Sequence, residues 1–264
     1  MRCDVSNVPP TGSDMNDTLS IPPPPADLLR GGALFLDFDG TLVDLAPTPD
    51  GVAVDDQLRA LLAKLAGRLE GRIAIVSGRS IDDIQRMFGV TDFAISGSHG
   101  AEVRWPDGRG SAPQPPEWLA EARERMEALA RGREGVIVET KPFGAALHYR
   151  LSPDAEEACR TLCLALAAKP DVQLQRGKMM FEVRVAGCDK GSAVRGMMND
   201  PALAGARPVF IGDDVTDEDA FEAVAALGGA GILVGPERPT AAHYRLDSVA
   251  ATRAWLGHVA GASA

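Results

Sequence analysis

Five short apolar runs, at residues 33–36, 73–76, 93–96, 208–211 and 231–234, each break off into polar residues or glycine. Runs this brief and this apolar suit strands buried on both faces, which belong to parallel sheets. Helical spacing separates most of them. Residues 54–69 place Leu58, Leu61, Leu62, Leu65 and Leu69 on one face and stop at Gly71. Ser80 is placed to cap a helix with Ile81, Ile84 and Phe88 inward and Gly89 as its end. Further helices are expected over 189–198, after a Thr216 cap with Phe221, Val224 and Leu227 inward, and over 247–259. Strand and helix in alternation predict βαβ units and a doubly wound α/β core.

That rhythm breaks in the middle of the chain. Residues 106–116 form a Pro/Gly-rich connection, and a helix then carries Leu119, Ala122, Met126 and Leu129. Residues 136–141 and 145–150 read as antiparallel neighbours across Pro142, Phe143 and Gly144. A helix over 153–169 is expected with Ser152 as cap and Pro153 at its first position. Residues 172–175 and 179–185 flank Arg176, Gly177 and Lys178 as a hairpin, with Met179 and Met180 as core filler. The expected organisation is a core of residues 28–108 and 188–264 with an α+β cap, 109–187, inserted in it. Residues 1–27, with prolines at 9, 10 and 22–25, read as a disordered tail ending in a polyproline II stub.

A formal net charge of −10 argues against non-specific binding to nucleic acid or an anionic membrane. No run of 18 apolar residues and no basic-then-apolar leader is present, so a cytoplasmic protein is expected. Cys159 and Cys163 lie one helical turn apart with no CxxC and no nearby histidine set, which reads as core thiols rather than a zinc site.

The strand ends carry the chemistry. The first run leads into Asp37, Phe38, Asp39, Gly40 and Thr41; the second into Ser77, Gly78 and Arg79; the fourth into Gly212, Asp213 and Asp214. Taken alone, Asp37 and Asp39 fit an acidic turn as well as a site. Gathered on one edge of a sheet, three or four carboxylates cannot all stay ionised without a cation. Oxygen-only ligands point to Mg²⁺. With Lys190 and Ser77 among them, the group that fits is a phosphate, its oxygens held by Ser77, Thr41 and backbone N–H groups. A carboxylate beside a metal and a phosphate can serve as nucleophile and form an aspartyl-phosphate.

In this order, Asp37-Phe-Asp39-Gly-Thr41, Ser77, Lys190 and Gly212-Asp213-Asp214 resemble the motifs of the haloacid-dehalogenase-like phosphatases. Val76-Ser-Gly-Arg79, Gly97-Ser-His-Gly-Ala-Glu102, Lys141 through Arg150, Gly177-Lys178, Phe181-Glu-Val-Arg184, Asp189-Lys-Gly191 and Ile211 through Glu218 narrow the resemblance to the trehalose-6-phosphate phosphatase family, over about residues 33–250. The resemblance implies a Rossmann-like parallel-sheet core with an inserted α+β cap, and Mg²⁺ held by the Asp37 carboxylate, the Asp39 carbonyl and Asp213. It implies catalysis by Asp37 as nucleophile, Asp39 as acid and then base, and Lys190, with Asp214 and Asp217 supporting the metal waters and Lys190. Thr41, Ser77 and Gly78 would serve the phosphate, and His99, Glu139, Lys141, Arg150, Lys178 and Glu182 the sugar. The substrate implied is trehalose 6-phosphate.

Other readings stand beside these. His99 fits a turn as well as a sugar contact, and Glu102 is expected to be structural. The pairs Glu139/Lys141 and Lys178/Glu182 fit surface ion pairs as well as a binding wall, and Arg79 and Arg184 read as structural ion-pair members. A phosphatase for sucrose or glucosylglycerol phosphate, or an inactive regulatory subunit, would carry a similar sequence. A monomer is expected, and the proline-rich tail keeps a contact with a trehalose-phosphate synthase open.

Overall fold

The computed structural model describes residues 21–46, 51–111, 113–177 and 179–261. The expected disordered tail lies outside the described residues as far as residue 20. Its last residues are anchored: Pro24 is buried, and the Pro22 carbonyl accepts from the Arg245 N–H at 3.0 Å.

The first half of the core runs β1 (Gly32–Leu36), α1 (Asp56–Arg68), β2 (Ile73–Val76), α2 (Ile81–Phe88) and β3 (Ala94–Gly97), then two short strands, β4 (Glu102–Arg104) and β5 (Gly110–Ser111). The insertion follows: α3 (Trp118–Arg131), β6 (Ile137–Lys141), β7 (Gly144–His148), α4 (Glu156–Leu166), β8 (Val172–Gly177) and β9 (Met180–Val185). The core resumes with α5 (Lys190–Met198), β10 (Arg207–Gly212), α6 (Glu218–Ala226), β11 (Ala230–Val234), β12 (Tyr244–Leu246) and α7 (Val249–Gly261).

The larger sheet has the order β12-β11-β10-β1-β2-β3-β4-β5. It is parallel from β12 to β3, and antiparallel where β3, β4 and β5 meet. Strand alternation divides its side chains between two layers. Leu34 and Leu36 pack with the helices α1, α2 and α7, whereas Ala33 and Phe35 pack with α5 and α6. The second sheet, β6-β7-β9-β8, is antiparallel throughout, and α3 and α4 close one of its faces around Leu147, Phe181 and Val183. Cys159 and Cys163 are buried, unpaired thiols in that layer.

Several local expectations change. Thr216 does not cap α6. Residues Val215–Asp217 form a 3₁₀ turn held by a capping box of Asp214 and Asp217, which satisfies the exposed N–H groups better than one hydroxyl can. Leu227 is exposed beyond the end of that helix. Ser152 makes no side-chain cap, because a 3₁₀ turn, Pro153–Ala155, precedes α4. Three strands carry too few apolar residues to announce themselves: β4, β5 and β12 are two or three residues long. Gly110 and Ser111 pair in the larger sheet, so the chain leaves the core after them rather than at residue 109.

Candidate active site

Parallel strands deliver their carboxyl ends to one edge, where open α/β sheets bind ligands. Asp37 follows β1, Ser77 follows β2 and Asp213 follows β10, on three adjacent strands. Lys190 opens α5, which Asp189 and Ser192 cap reciprocally. Its ammonium donates to Asp37 Oδ1 at 2.6 Å and to Asp217 Oδ1 at 2.6 Å, and all three residues are buried. The buried Thr41 hydroxyl lies 3.2 Å from both Asp37 Oδ2 and Asp213 Oδ1, donating to one at a time. Gly40 makes room for this. Its φ is +82°, and a Cβ there would stand 2.2 Å from an Asp213 oxygen.

The cluster lacks positive charge, with one ammonium among three acids. Burial drives the Asp37 carboxyl well above its ordinary range; Lys190 opposes the rise, and Asp217 and Asp213 add to it. Burial and then Asp217 push Asp213 up to about 6. Burial works against the Lys190 charge, yet Asp217 and Asp37 outweigh it and raise the group. Oxygens of Asp37, Asp213 and Asp217 lie within 4.8 Å of one another, a set that can hold a metal ion. Asp217 has little left to give, since its Oδ1 accepts from Lys190 and its Oδ2 from the Asp214 N–H at 2.9 Å. Asp37 Oδ2 and Asp213 keep the free lone pairs, and an all-oxygen set suits a hard divalent cation.

Asp39 stands apart from that cluster. Arg79 takes its carboxylate in a fork, Nε to Oδ2 at 2.7 Å and Nη2 to Oδ1 at 2.8 Å, and the guanidinium lies 5.6 Å from the Phe38 ring centroid. The Ser77 hydroxyl accepts from the Arg79 N–H at 3.1 Å, shaping the loop after β2. Gly78 sits under His99, whose ring would be 2.6 Å from a Cβ at that position. Ser98 and His99 both have left-handed backbones, φ 50° and 56°. Glu102 pins them: its Oε1 accepts from the Ser98 hydroxyl at 2.8 Å and the Ile81 N–H at 3.0 Å, a structural role. His99 is held uncharged by burial first, and then by Arg184, Lys141 and Lys190.

The second sheet presents its polar face to this edge. Register places Glu139, Ala146, Glu182 and Gln175 in one row across the four strands, and Lys141, Gly144, Arg184 and Gln173 in the next. Lys141 Nζ donates to Glu182 Oε2 at 2.8 Å, and Glu139 Oε2 meets His148 Nε2 at 2.8 Å. His99, Gly78, Lys141, Glu182 and Arg184 line one slot between the two sheets, of about 10 Å³. Two wider grooves, about 520 Å³ beside Trp118 and about 570 Å³ beside Trp105, contain none of these residues.

Residues 35–250 match the trehalose-phosphatase family. The chain is 42% identical over 234 residues to a Sinorhizobium fredii protein named "probable trehalose-phosphate phosphatase", covering 88% of each chain. It is 35% identical over 226 residues to the trehalose-6-phosphate phosphatase of Escherichia coli, covering 85% of each. Among solved structures, one titled as a trehalose-6-phosphate phosphatase related protein aligns with a TM-score of 0.73 at 28% identity, over 87% of this chain and 97% of that one. The chain belongs to the trehalose-phosphatase family. The parallel core with its separate antiparallel cap sheet is also the fold of a haloacid dehalogenase-like hydrolase from Bacteroides thetaiotaomicron, which aligns with a TM-score of 0.64 at 16% identity.

Within this trehalose-phosphatase chain, Asp37, Thr41, Lys190, Asp213 and Asp217 converge, while Asp214 contributes mainly its backbone to the Asp217 capping box. Glu139, Lys141 and Glu182 share the cap wall. Arg150 does not join them: it lies two residues past the end of β7 and is exposed. Lys178 lies outside the described residues. Arg79, read as a structural ion-pair member, pairs with the very residue expected to act as acid and base. Arg184 was expected in an ion pair and instead donates to two neutral acceptors, the Cys188 carbonyl and Gln175. His148 was missed, although its place next to inward-facing Leu147 and its register opposite Ile137, two residues before Glu139, put it on the polar side with Glu139.

Proposed function

We propose that this chain hydrolyses trehalose 6-phosphate to trehalose and phosphate, using Mg²⁺ at Asp37, Asp213 and the Asp39 carbonyl. The carrying observation is the buried Asp37–Lys190–Asp217 chain, which fixes one carboxylate oxygen of Asp37 and leaves the other facing Asp213 and Thr41. A bound Mg²⁺ supplies charge neutralisation for the phosphoryl group and for the acids that raise one another's pKa. Asp37, held in place by Lys190, attacks phosphorus, and the sugar 6-oxygen leaves. Asp39 gives that oxygen a proton, then takes one from the water that hydrolyses the aspartyl-phosphate. Because both Asp39 oxygens accept from Arg79, the fork must open before either can serve the leaving group. Ser77 and the backbone at Gly78 lie on the phosphate side, and Glu139, Lys141 and Glu182 face the sugar. His99 and Lys178 complete the proposed sugar contacts, and Arg150, exposed beyond β7, is left out of them. The slot of about 10 Å³ admits no more than a water, so the disaccharide enters with the cap parted from the core.

The deciding experiment is phosphate release across a panel of sugar phosphates, with and without Mg²⁺. Trehalose 6-phosphate is expected to be the best substrate, and turnover is expected to vanish with chelator. A preference of about an order of magnitude for another sugar ester would overturn the assignment of the sugar.

A further inference from the structure

Arg184 is a buried cation with no ion-pair partner among the described residues. The residue is 7% exposed and projects from β9 on the polar face of the cap sheet. Its Nη1 donates to the Cys188 carbonyl at 2.8 Å, its Nη2 reaches Gln175 Oε1 at 3.3 Å, and its Nε is buried with no acceptor. Both acceptors are neutral, and among the described residues no carboxylate forms an ion pair with it. The acid beside it on the wall, Glu182, is committed to Lys141, and Lys190 answers Asp37 and Asp217. His99, across the slot, offers no negative charge. A buried charge is normally paired, because desolvation penalises it heavily when it is not.

We infer that Arg184, with Lys141 and His99, forms an oxyanion locus on the cap wall, distinct from the Asp37 site, that takes a phosphate group. Arg184 supplies the charge and a spare N–H, and neutral His99 a ring N–H, while Lys141, which donates to Glu182, adds only its positive field. An anion reaches the locus when the cap stands away from the core, since the closed slot is only water-sized. The segment joining β9 to α5 includes Gly187 at φ +77°, a backbone suited to absorbing such a movement. The phosphate is either that of an arriving ester or the freed product. The locus goes beyond the proposed function and stands whichever sugar the enzyme prefers.

Metal-free protein separates the two sites. Without a cation, the three acids around Lys190 repel phosphate, whereas Arg184 needs no metal. The test is calorimetric titration of the full chain with inorganic phosphate in the presence of chelator. Wild type should bind saturably; Arg184→Gln should weaken binding by about tenfold or more, and Arg184→Lys should stay within about threefold. Absence of saturable metal-free binding in wild type would overturn the inference, whatever the variants do. Equal binding by wild type and a folded Arg184→Gln protein would overturn it as well. Trehalose 6-phosphate, unhydrolysed under chelation, then identifies the source. If it displaces inorganic phosphate, the locus captures the ester; if it leaves phosphate bound, the locus holds the product.

Discussion

The two sheets of this phosphatase place charge in opposite ways. In the core, acids gather where three parallel strands end, and the main chain decides their positions. Asp37 and Asp213 lie where β1 and β10 stop, and Gly40 lets the Asp213 carboxylate lie against the loop after β1. In the cap, the cations Lys141 and Arg184 share one face of an antiparallel sheet with the acids Glu139 and Glu182, and side-chain alternation decides positions two residues apart. A core acid therefore cannot move without moving a strand, whereas a cap residue can change while its sheet persists. Such an arrangement keeps chemistry fixed and leaves recognition open to substitution.

The strongest way to break that contrast is Asp37→Asn. Losing the nucleophile should reduce turnover by about 10⁴-fold or more, equally for trehalose 6-phosphate and p-nitrophenyl phosphate. Steady-state assays of both esters check it, and substantial residual activity on either would exclude Asp37 as nucleophile. Glu182→Gln tests the other region. It should cost about 10–100-fold in kcat/KM for the sugar ester while leaving the aryl ester within about threefold. Equal losses on the two substrates would mean that Glu182 supports the fold through Lys141 instead of reading sugar.

A smaller effect tests the shortage of positive charge in the core. Asp213 titrates at about 6 in the folded protein and near 3.8 in the unfolded chain. Between those values the native state binds more protons, so this group's contribution to stability falls as pH rises, and it is fully lost above about 6. A divalent cation relieves the cost. The rise in Tm on adding Mg²⁺ should therefore grow from pH ~5 to pH ~7.5, by a few degrees. Thermal unfolding at both pH values checks it, and a larger Mg²⁺ effect at the lower pH would contradict the cluster's role.

The sequence made the core nearly transparent because strand ends are marked by abrupt changes of residue type. Apolar runs stopping at Asp37, Ser77 and Asp213 reveal both the sheet and its functional edge. Pairings across the chain were less visible. Nothing local indicates that Asp39 rests in the fork of Arg79, forty positions away, or that Arg184 meets only neutral acceptors. The strands β4, β5 and β12 escaped for a related reason: two or three residues give no period to count. Serine caps were legible unevenly: Ser80 caps α2 as its place in the sequence suggests, whereas Ser152 does not cap α4.

That last difference can be measured, and it again separates core from cap. Ser80, ahead of α2, accepts from the Asp83 N–H at 3.1 Å and donates to the Asp83 carboxylate at 2.6 Å. Ser152 occupies the corresponding place before the cap's Pro153 turn, yet its hydroxyl donates only to the exposed Asp154, at 3.3 Å. Its φ and ψ, −145° and 67°, depart from the extended geometry that aims a hydroxyl at the first free N–H groups. Ser80→Ala should therefore cost about 1 kcal/mol, or about 2–4 °C in Tm. Ser152→Ala should stay within about 0.5 kcal/mol. Thermal unfolding of the two variants side by side gives the comparison, and equal losses would show that Ser152 caps α4 in solution after all.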